Sequence, residues 1–164
     1  GASITAIRAG KTVDTSMGFT PLEGLVMLTR PGNIDAGIVL EIAKEYGIDK
    51  AKEILNKESG LKGICGTSHM LEILERVRAG DEQAKLAFDV YVYSIKKYIG
   101  AYFAVLGGCD ALVFTGAIGA GDPMTREAVV KDLNILKKPG SPWGGTKILT
   151  IETDEELAIA QKII

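Results

Sequence analysis

Histidine is nearly missing from this chain: His69 is the only one in 164 residues. No cysteine or carboxylate cluster surrounds it at metal-ligand spacing, so a zinc site has nothing to build on. The two cysteines, Cys65 and Cys109, are too few for a disulfide framework and read as reduced thiols of a cytoplasmic protein. An excess of either charge is missing too. Nineteen Lys and Arg against 21 Asp and Glu leave a net charge of -2. That balance gives no reason to expect nucleic acid or an anionic membrane as partner. There is no clean apolar run, because the longest, Ala84 to Leu106, is broken by Lys85, Asp89, Lys96 and Lys97. A membrane span is therefore not expected. No secretory leader, internal repeat or low-complexity tract is visible. An initiator Met is also absent, and the chain opens at Gly1 directly into a strand-like run. A processed or truncated piece of a longer protein is the expectation.

What is present is apolar residue and glycine. Hydrophobic residues make up 46% of the chain, enough for a substantial core in about one domain. The 20 glycines fall largely in clusters, pointing to tight turns or to backbone lying close to something bound.

Residues 2–8 and 11–13 read as strands joined by a turn at Ala9-Gly10. Residues 14–34 read as an irregular loop. Asp35 caps a helix to about Tyr46, ended by Gly47, and Asp49 caps a shorter one to about Lys57. Residues 59–60 and 63–68 read as loop, followed by a helix from His69 to Ala79. Asp81 caps the longest helix, to about Leu106, whose apolar positions cover more than one face and predict burial on several sides. Residues 111–115 predict a buried strand, 116–121 a glycine loop, and Asp122-Pro123 the start of a helix to about Leu136. Residues 147–151 predict a last strand. Thr153 with Glu156 forms a capping box for a final helix. Strands first, then helix–strand alternation, predict an α/β domain with a mixed sheet flanked by helices.

Several local patterns admit both a chemical and a plain structural role. The loop after Thr115, with Ala117, Ile118, Gly119, Ala120 and Gly121, suits close approach of backbone amides to phosphate; it suits a tight strand-to-helix turn equally. It is not a Walker A loop, since no Gly-Lys-Ser/Thr follows. Gly66-Thr-Ser68 can cradle a nucleotide, or Ser68 can simply cap a helix. Glu155 and Glu156 can hold Mg²⁺, or only complement a helix dipole. Arg30, near the end of a glycine- and proline-shaped loop, offers a fork of donors to an oxyanion; a surface salt bridge is the alternative.

The stretch DTSMGFTPLEGLVMLTRPGNID, residues 14–35, resembles the acetate kinase family almost residue for residue. The resemblance continues through LNKESGL (55–61), GDEQAKLA (80–87), YIGAY (98–102), DALVFT (110–115) and TDEELAIA (153–160). It implies the actin-like, sugar-kinase-like (ribonuclease H-like) ATPase fold, made of two lobes with ATP between them. Residues 1–164 would be the C-terminal lobe, with the N-terminal lobe absent from this chain. Gly1 would be the last glycine of the family's His-Leu-Gly-Asn-Gly phosphate turn. The implied reaction is reversible phosphoryl transfer between ATP and acetate, giving acetyl phosphate and ADP with Mg²⁺. Arg30 corresponds to one of two active-site arginines and Glu155 to the Mg²⁺-associated glutamate. Ser68, His69, Met70 and Leu71 fall on an adenosine segment in which the family has aspartate and arginine where His69 and Leu71 stand. Ala120 and Gly121 stand where its nucleotide turn has Glu and Asn. The resemblance further implies a homodimer paired through this lobe and a short-chain carboxylate as co-substrate. The isolated chain is expected to lack turnover. The alternatives are a stand-alone nucleotide-binding or dimerisation module without catalysis, and a split enzyme whose first lobe is a separate polypeptide.

Overall fold

The computed structural model describes residues 1–136, 145–154 and 160. The expected C-terminal helix, with Glu155 and Glu156, lies outside the described residues. The chain divides into two compact units, Gly1–Leu106 and Gly107–Ile164.

The first unit begins with a hairpin of β1 (Thr5–Arg8) and β2 (Lys11–Thr15), antiparallel, with Thr5 opposite Thr15 and Arg8 opposite Lys11. The turn falls at Ala9-Gly10, as the sequence predicts. Both residues have positive φ, 50° and 75°, the geometry of a two-residue turn whose twist matches the strands. Ala9 pays a steric cost there that Asn avoids. Ala9→Asn is expected to stabilise the chain by about 0.5–1 kcal/mol, read as a raised urea midpoint. Pairing starts at Thr5 rather than Ala2, and runs to Thr15 rather than Val13.

After the irregular loop come α1 (Ala36–Tyr46) and α2 (Ile48–Glu53), the latter running into a π-helical turn, Ile54–Glu58. The Asp35 carboxylate accepts from the Gly37 amide at 2.6 Å, the cap the sequence predicts. Gly47, at φ 83°, ends α1 and opens α2, so Asp49 lies inside the second helix instead of capping it. A helix the sequence does not announce follows, α3 (Gly60–Cys65), then α4 (Met70–Arg78) and α5 (Glu82–Leu106). α3 and α4 pack along α5.

The buried residues of α5 are Ala84, Ala87, Phe88, Tyr91, Val92, Ile95, Ile99 and Tyr102. Their three- and four-residue spacing is a single stripe. The expectation of burial on several sides is corrected: Leu86 and Tyr93 are exposed on another face. Against the stripe lie Leu61, Ile73 and Leu74, all fully buried. The hairpin docks on the end of α5, where Arg8 Nη2 donates to the Val105 carbonyl at 2.8 Å. Burial, then the nearby Asp14 carboxylate, pushes the Tyr102 phenol up to about 12.

Asp81 caps α5 as predicted, its Oδ1 accepting from the Gln83 and Ala84 amides at 2.9 and 3.0 Å. Its Oδ2 accepts from Arg76 Nε at 2.9 Å. The Ala84 amide, then Arg76, hold this carboxyl below its usual range. A depressed folded value means the stabilisation is present above the unfolded value, about 3.9, and is lost as pH falls through the folded one. Asp81→Asn should therefore lower the urea midpoint at pH 7, with the gap to wild type narrowing at pH 3.

The second unit holds a parallel pair, β3 (Ala111–Phe114) and β4 (Lys147–Thr150), in register from Ala111–Lys147 to Phe114–Thr150. Parallel and antiparallel pairing are thus both present, in two separate two-stranded sheets among the described residues. The glycine loop contains a helical turn, α6 (Gly116–Gly119). It is followed by α7 (Pro123–Val130), with Asp122 capping as expected at 3.2 and 2.8 Å from the Met124 and Thr125 amides. α7 stops at Val130 rather than Leu136, because Lys131 turns extended and Asp132 takes φ 64°. A short 3-10 turn, Asn134–Leu136, closes the segment.

Candidate functional site

The loop of residues 14–35 is irregular in outline but closely bonded. Asn33 N donates to the Gly24 carbonyl at 3.0 Å, and Gly24 N donates to Asn33 Oδ1 at 3.0 Å. Asn33 Nδ2 in turn donates to the Tyr98 hydroxyl of α5 at 3.0 Å. Met27 N donates to the Arg30 carbonyl at 3.0 Å, bending the chain back on itself. Leu25 and Met27 anchor the loop, both buried. At Gly24 (φ 108°) and Gly32 (φ 70°) a Cβ would lie 2.3 Å from the Ser16 carbonyl oxygen and 2.5 Å from the Gly24 carbonyl oxygen. No side chain fits at either position.

Arg30 stands half-buried at the end of this loop. Its Nη1 donates to the Pro21 carbonyl at 3.2 Å and lies 3.7 Å from Met27 Sδ. Among the described residues the guanidinium makes no ion pair. The surface-salt-bridge alternative therefore fails for them, and most of the donor fork is uncommitted. Gly1 is brought to the same place, where a methyl group added to it would lie 3.5 Å from Arg30 Nη1.

α3 leads from this loop to Gly66, a span of about 9 Å for six helical residues. Gly66 takes φ 83° and ends α3. Ser68 does not cap the next helix: the N-cap is His69, which makes no side-chain capping bond. The residue the sequence reading missed is Thr67. Its hydroxyl accepts from the His69 amide at 3.3 Å and donates to Glu72 Oε2 at 2.6 Å. The segment is braced by Arg76, whose Nη1 donates to the Cys65 carbonyl at 2.9 Å. Met70 is buried, so its side chain belongs to the core, whereas His69 and Leu71 are exposed.

In the second unit a cavity of about 310 Å³ is lined by Gly116, Ala117, Ala120, Gly121, Glu152 and Thr153. It opens beyond the carboxyl ends of β3 and β4, where parallel sheets carry their ligand crevices. Ile118 and Gly119 do not line it, and Gly119 packs against Phe114 instead. Glu152 carried no signal in the sequence, and Thr153 carried one only as a helix cap. The amides of Ala120, Gly121 and Asp122 already bond the carbonyls of Gly116, Ala117 and Ile118. Arg126 Nη1 clamps the turn by donating to the carbonyls of Gly119 and Ala120 at 3.0 and 2.6 Å. Among the described residues the lining is thus small, partly acidic and without a cation.

The acetokinase family profile matches residues 1–139. The chain belongs to the acetokinase family. It is 47% identical to the acetate kinase of Sulfurovum sp. (strain NBC37-1), an alignment covering 99% of this chain and 46% of that protein. Among solved structures, an acetate kinase from Porphyromonas gingivalis matches with a TM-score of 0.89 at 39% identity, over 99% of this chain and 45% of that one. A propionate kinase from Francisella tularensis matches with a TM-score of 0.87 at 38% identity, over 98% and 45%. This chain therefore spans less than half the length of these relatives.

No group of three or more metal-capable side chains occurs among the described residues. A Mg²⁺ bound with a nucleotide needs only one or two protein carboxylates, the phosphates and water supplying the rest. Glu152, on the cavity rim, is a donor of the right class, and Glu155 follows it in sequence. The residues present therefore fit a nucleotide-borne Mg²⁺, not a caged one. No described helix is long and apolar enough to cross a membrane.

Proposed function

We propose that this chain supplies the C-terminal half-site of a cytoplasmic enzyme that transfers a phosphoryl group between ATP and acetate or a close short-chain carboxylate. The observation that carries the reading is Arg30: a guanidinium with no ion pair among the described residues, on a loop fixed at both limbs, in a chain of the acetokinase family.

A carboxylate oxygen attacks the γ-phosphorus, the bond to the ADP oxygen breaks, and acyl phosphate and ADP result. Charge spreads over the equatorial oxygens as this happens. Arg30 donates to those oxygens, and its rigid loop means no reorganisation is needed at that moment. Both of its contacts among the described residues, to the Pro21 carbonyl and to Met27 Sδ, use Nη1, which leaves the other donors free for them. The cavity beyond β3 and β4 takes the nucleoside part of ATP. Its small side chains leave room for a base. The amides of Ala120, Gly121 and Asp122 are already bonded within the turn, which favours the nucleoside over a phosphate as its occupant. His69 and Leu71, exposed where the family has aspartate and arginine, weaken side-chain recognition of adenosine. Mg²⁺, when bound, neutralises phosphate charge, and Glu155 with Glu152 would hold it.

The remaining half-site comes from an N-terminal lobe. Exposed Leu86 and Tyr93, seven apart on one face of α5, support pairing with a second copy. The test is acetyl phosphate formation from Mg-ATP and acetate by the 164-residue chain, alone and with an acetate kinase first lobe. No turnover alone and turnover on completion is expected. Robust turnover alone would refute the half-site reading. ATP binding without turnover after completion would leave the non-catalytic module.

A further inference from the structure

We propose that Gly60, with the backbone amides that open α3, is the seat that aims Arg30, which makes Gly60 a positioning residue for phosphoryl transfer. The proposal rests on the role given to Arg30 above.

Gly60 is constrained twice over. Its φ of 62° lies in the left-handed region. A Cβ built on it would lie 2.2 Å from the Met27 carbonyl oxygen, 2.6 Å from the Arg30 carbonyl oxygen and 2.9 Å from the Arg30 amide nitrogen. All three are main-chain atoms of the arginine loop, so no flexible side chain can swing aside. Around this contact the amides at the start of α3 meet the carbonyls of the loop. Ser59 N donates to Thr29 O at 3.1 Å, Leu61 N to Met27 O at 3.0 Å, and Lys62 N to Leu28 O at 2.9 Å. These are donors that a helix start leaves without partners. Here they hold the turn that ends at Arg30.

The seat is itself anchored. Leu61 is fully buried, and α3 packs on α5. Ser59 Oγ donates to the Ile54 carbonyl at 2.8 Å, and Thr29 Oγ1 to the Asn56 carbonyl at 2.8 Å. A displacement at residue 60 therefore passes straight into the main chain of Arg30. Misplacing a group by about 1 Å can cost 10²-fold in rate.

Gly47 provides the control. Its φ is 83°, yet nothing lies within 4 Å of its would-be Cβ. Gly47→Ala likewise puts an alanine at positive φ, with at least as much backbone strain, without touching the arginine loop. In the 164-residue chain, the Arg30 Nε–Hε resonance, assigned with Arg30→Lys, should shift in Gly60→Ala and stay in place in Gly47→Ala. In the protein completed by a first lobe, Gly60→Ala should lower kcat about 10- to 100-fold with KM for ATP nearly unchanged, and Gly47→Ala should leave both near wild type. An unmoved resonance or an unchanged kcat in Gly60→Ala overturns the proposal. Full turnover by Arg30→Ala sinks instead the reading beneath it. Should Gly60→Ala not fold, hydrogen exchange on the unaltered chain decides. The Met27, Leu61 and Lys62 amides should open as one protected unit, and fast, separate exchange of the latter two contradicts the seat.

Discussion

Arg30→Ala should lower phosphoryl transfer by the completed protein about 10²- to 10³-fold, the usual cost of one transition-state donor. The loss should fall on kcat, with KM for ATP little changed, since the contact forms as charge develops on the phosphoryl oxygens. Arg30→Lys should recover only part of the rate, because an ammonium keeps the charge and loses the planar fork. Stability should hardly move. The guanidinium makes no ion pair among the described residues, so its removal orphans no carboxylate there. A variant equally stable and nearly inactive separates chemistry from folding.

Gly32→Ala should cost about 2–4 kcal/mol of stability, combining left-handed backbone strain with overpacking against main chain. At φ 70°, the added Cβ would meet the Gly24 carbonyl oxygen and the Leu25 carbonyl, each at 2.5 Å. These atoms belong to the opposite limb of the arginine loop, so the two limbs must part. Gly107→Ala is the comparison, at φ 74° with open space around it. It should cost only the strain, about 1–2 kcal/mol. Urea midpoints of the two variants measure the difference. Gly32→Ala should also lose turnover in the completed protein, because Arg30 lies only two residues before the disturbed glycine.

How legible each element was depends on the distance over which its causes act. Asp35, Asp81 and Asp122 were readable as caps because a capping carboxylate bonds amides two and three residues away. The Ala9-Gly10 turn was readable for the same reason. α3 was not: Gly60, Gly63 and Gly66 give it poor local propensity, and burial of Leu61 and Cys65 holds it helical. The early end of α7 at Val130 was hidden too, because Asp tolerates the left-handed region without requiring it, and Asp132 takes φ 64°.

The candidate site divides along the same line. Arg30 drew notice through its setting among glycines and prolines, and through the family likeness of residues 14–35. That it has no ion-pair partner among the described residues is a fact about the fold. Glu152 and Thr153 become cavity walls only because β4 lies parallel to β3 and ends beside the turn at Gly116. Leu86 and Tyr93 looked like core because their type is apolar. The stripe that packs against α3 and α4 runs through other positions of α5.

Chemical rescue bears most directly on the role of the arginine. Free guanidinium ion, titrated into Arg30→Ala completed by its first lobe, should restore acetyl phosphate formation in a saturable way, while leaving wild type and Gly47→Ala unaffected. A variant that keeps wild-type turnover without any added guanidinium would contradict the account.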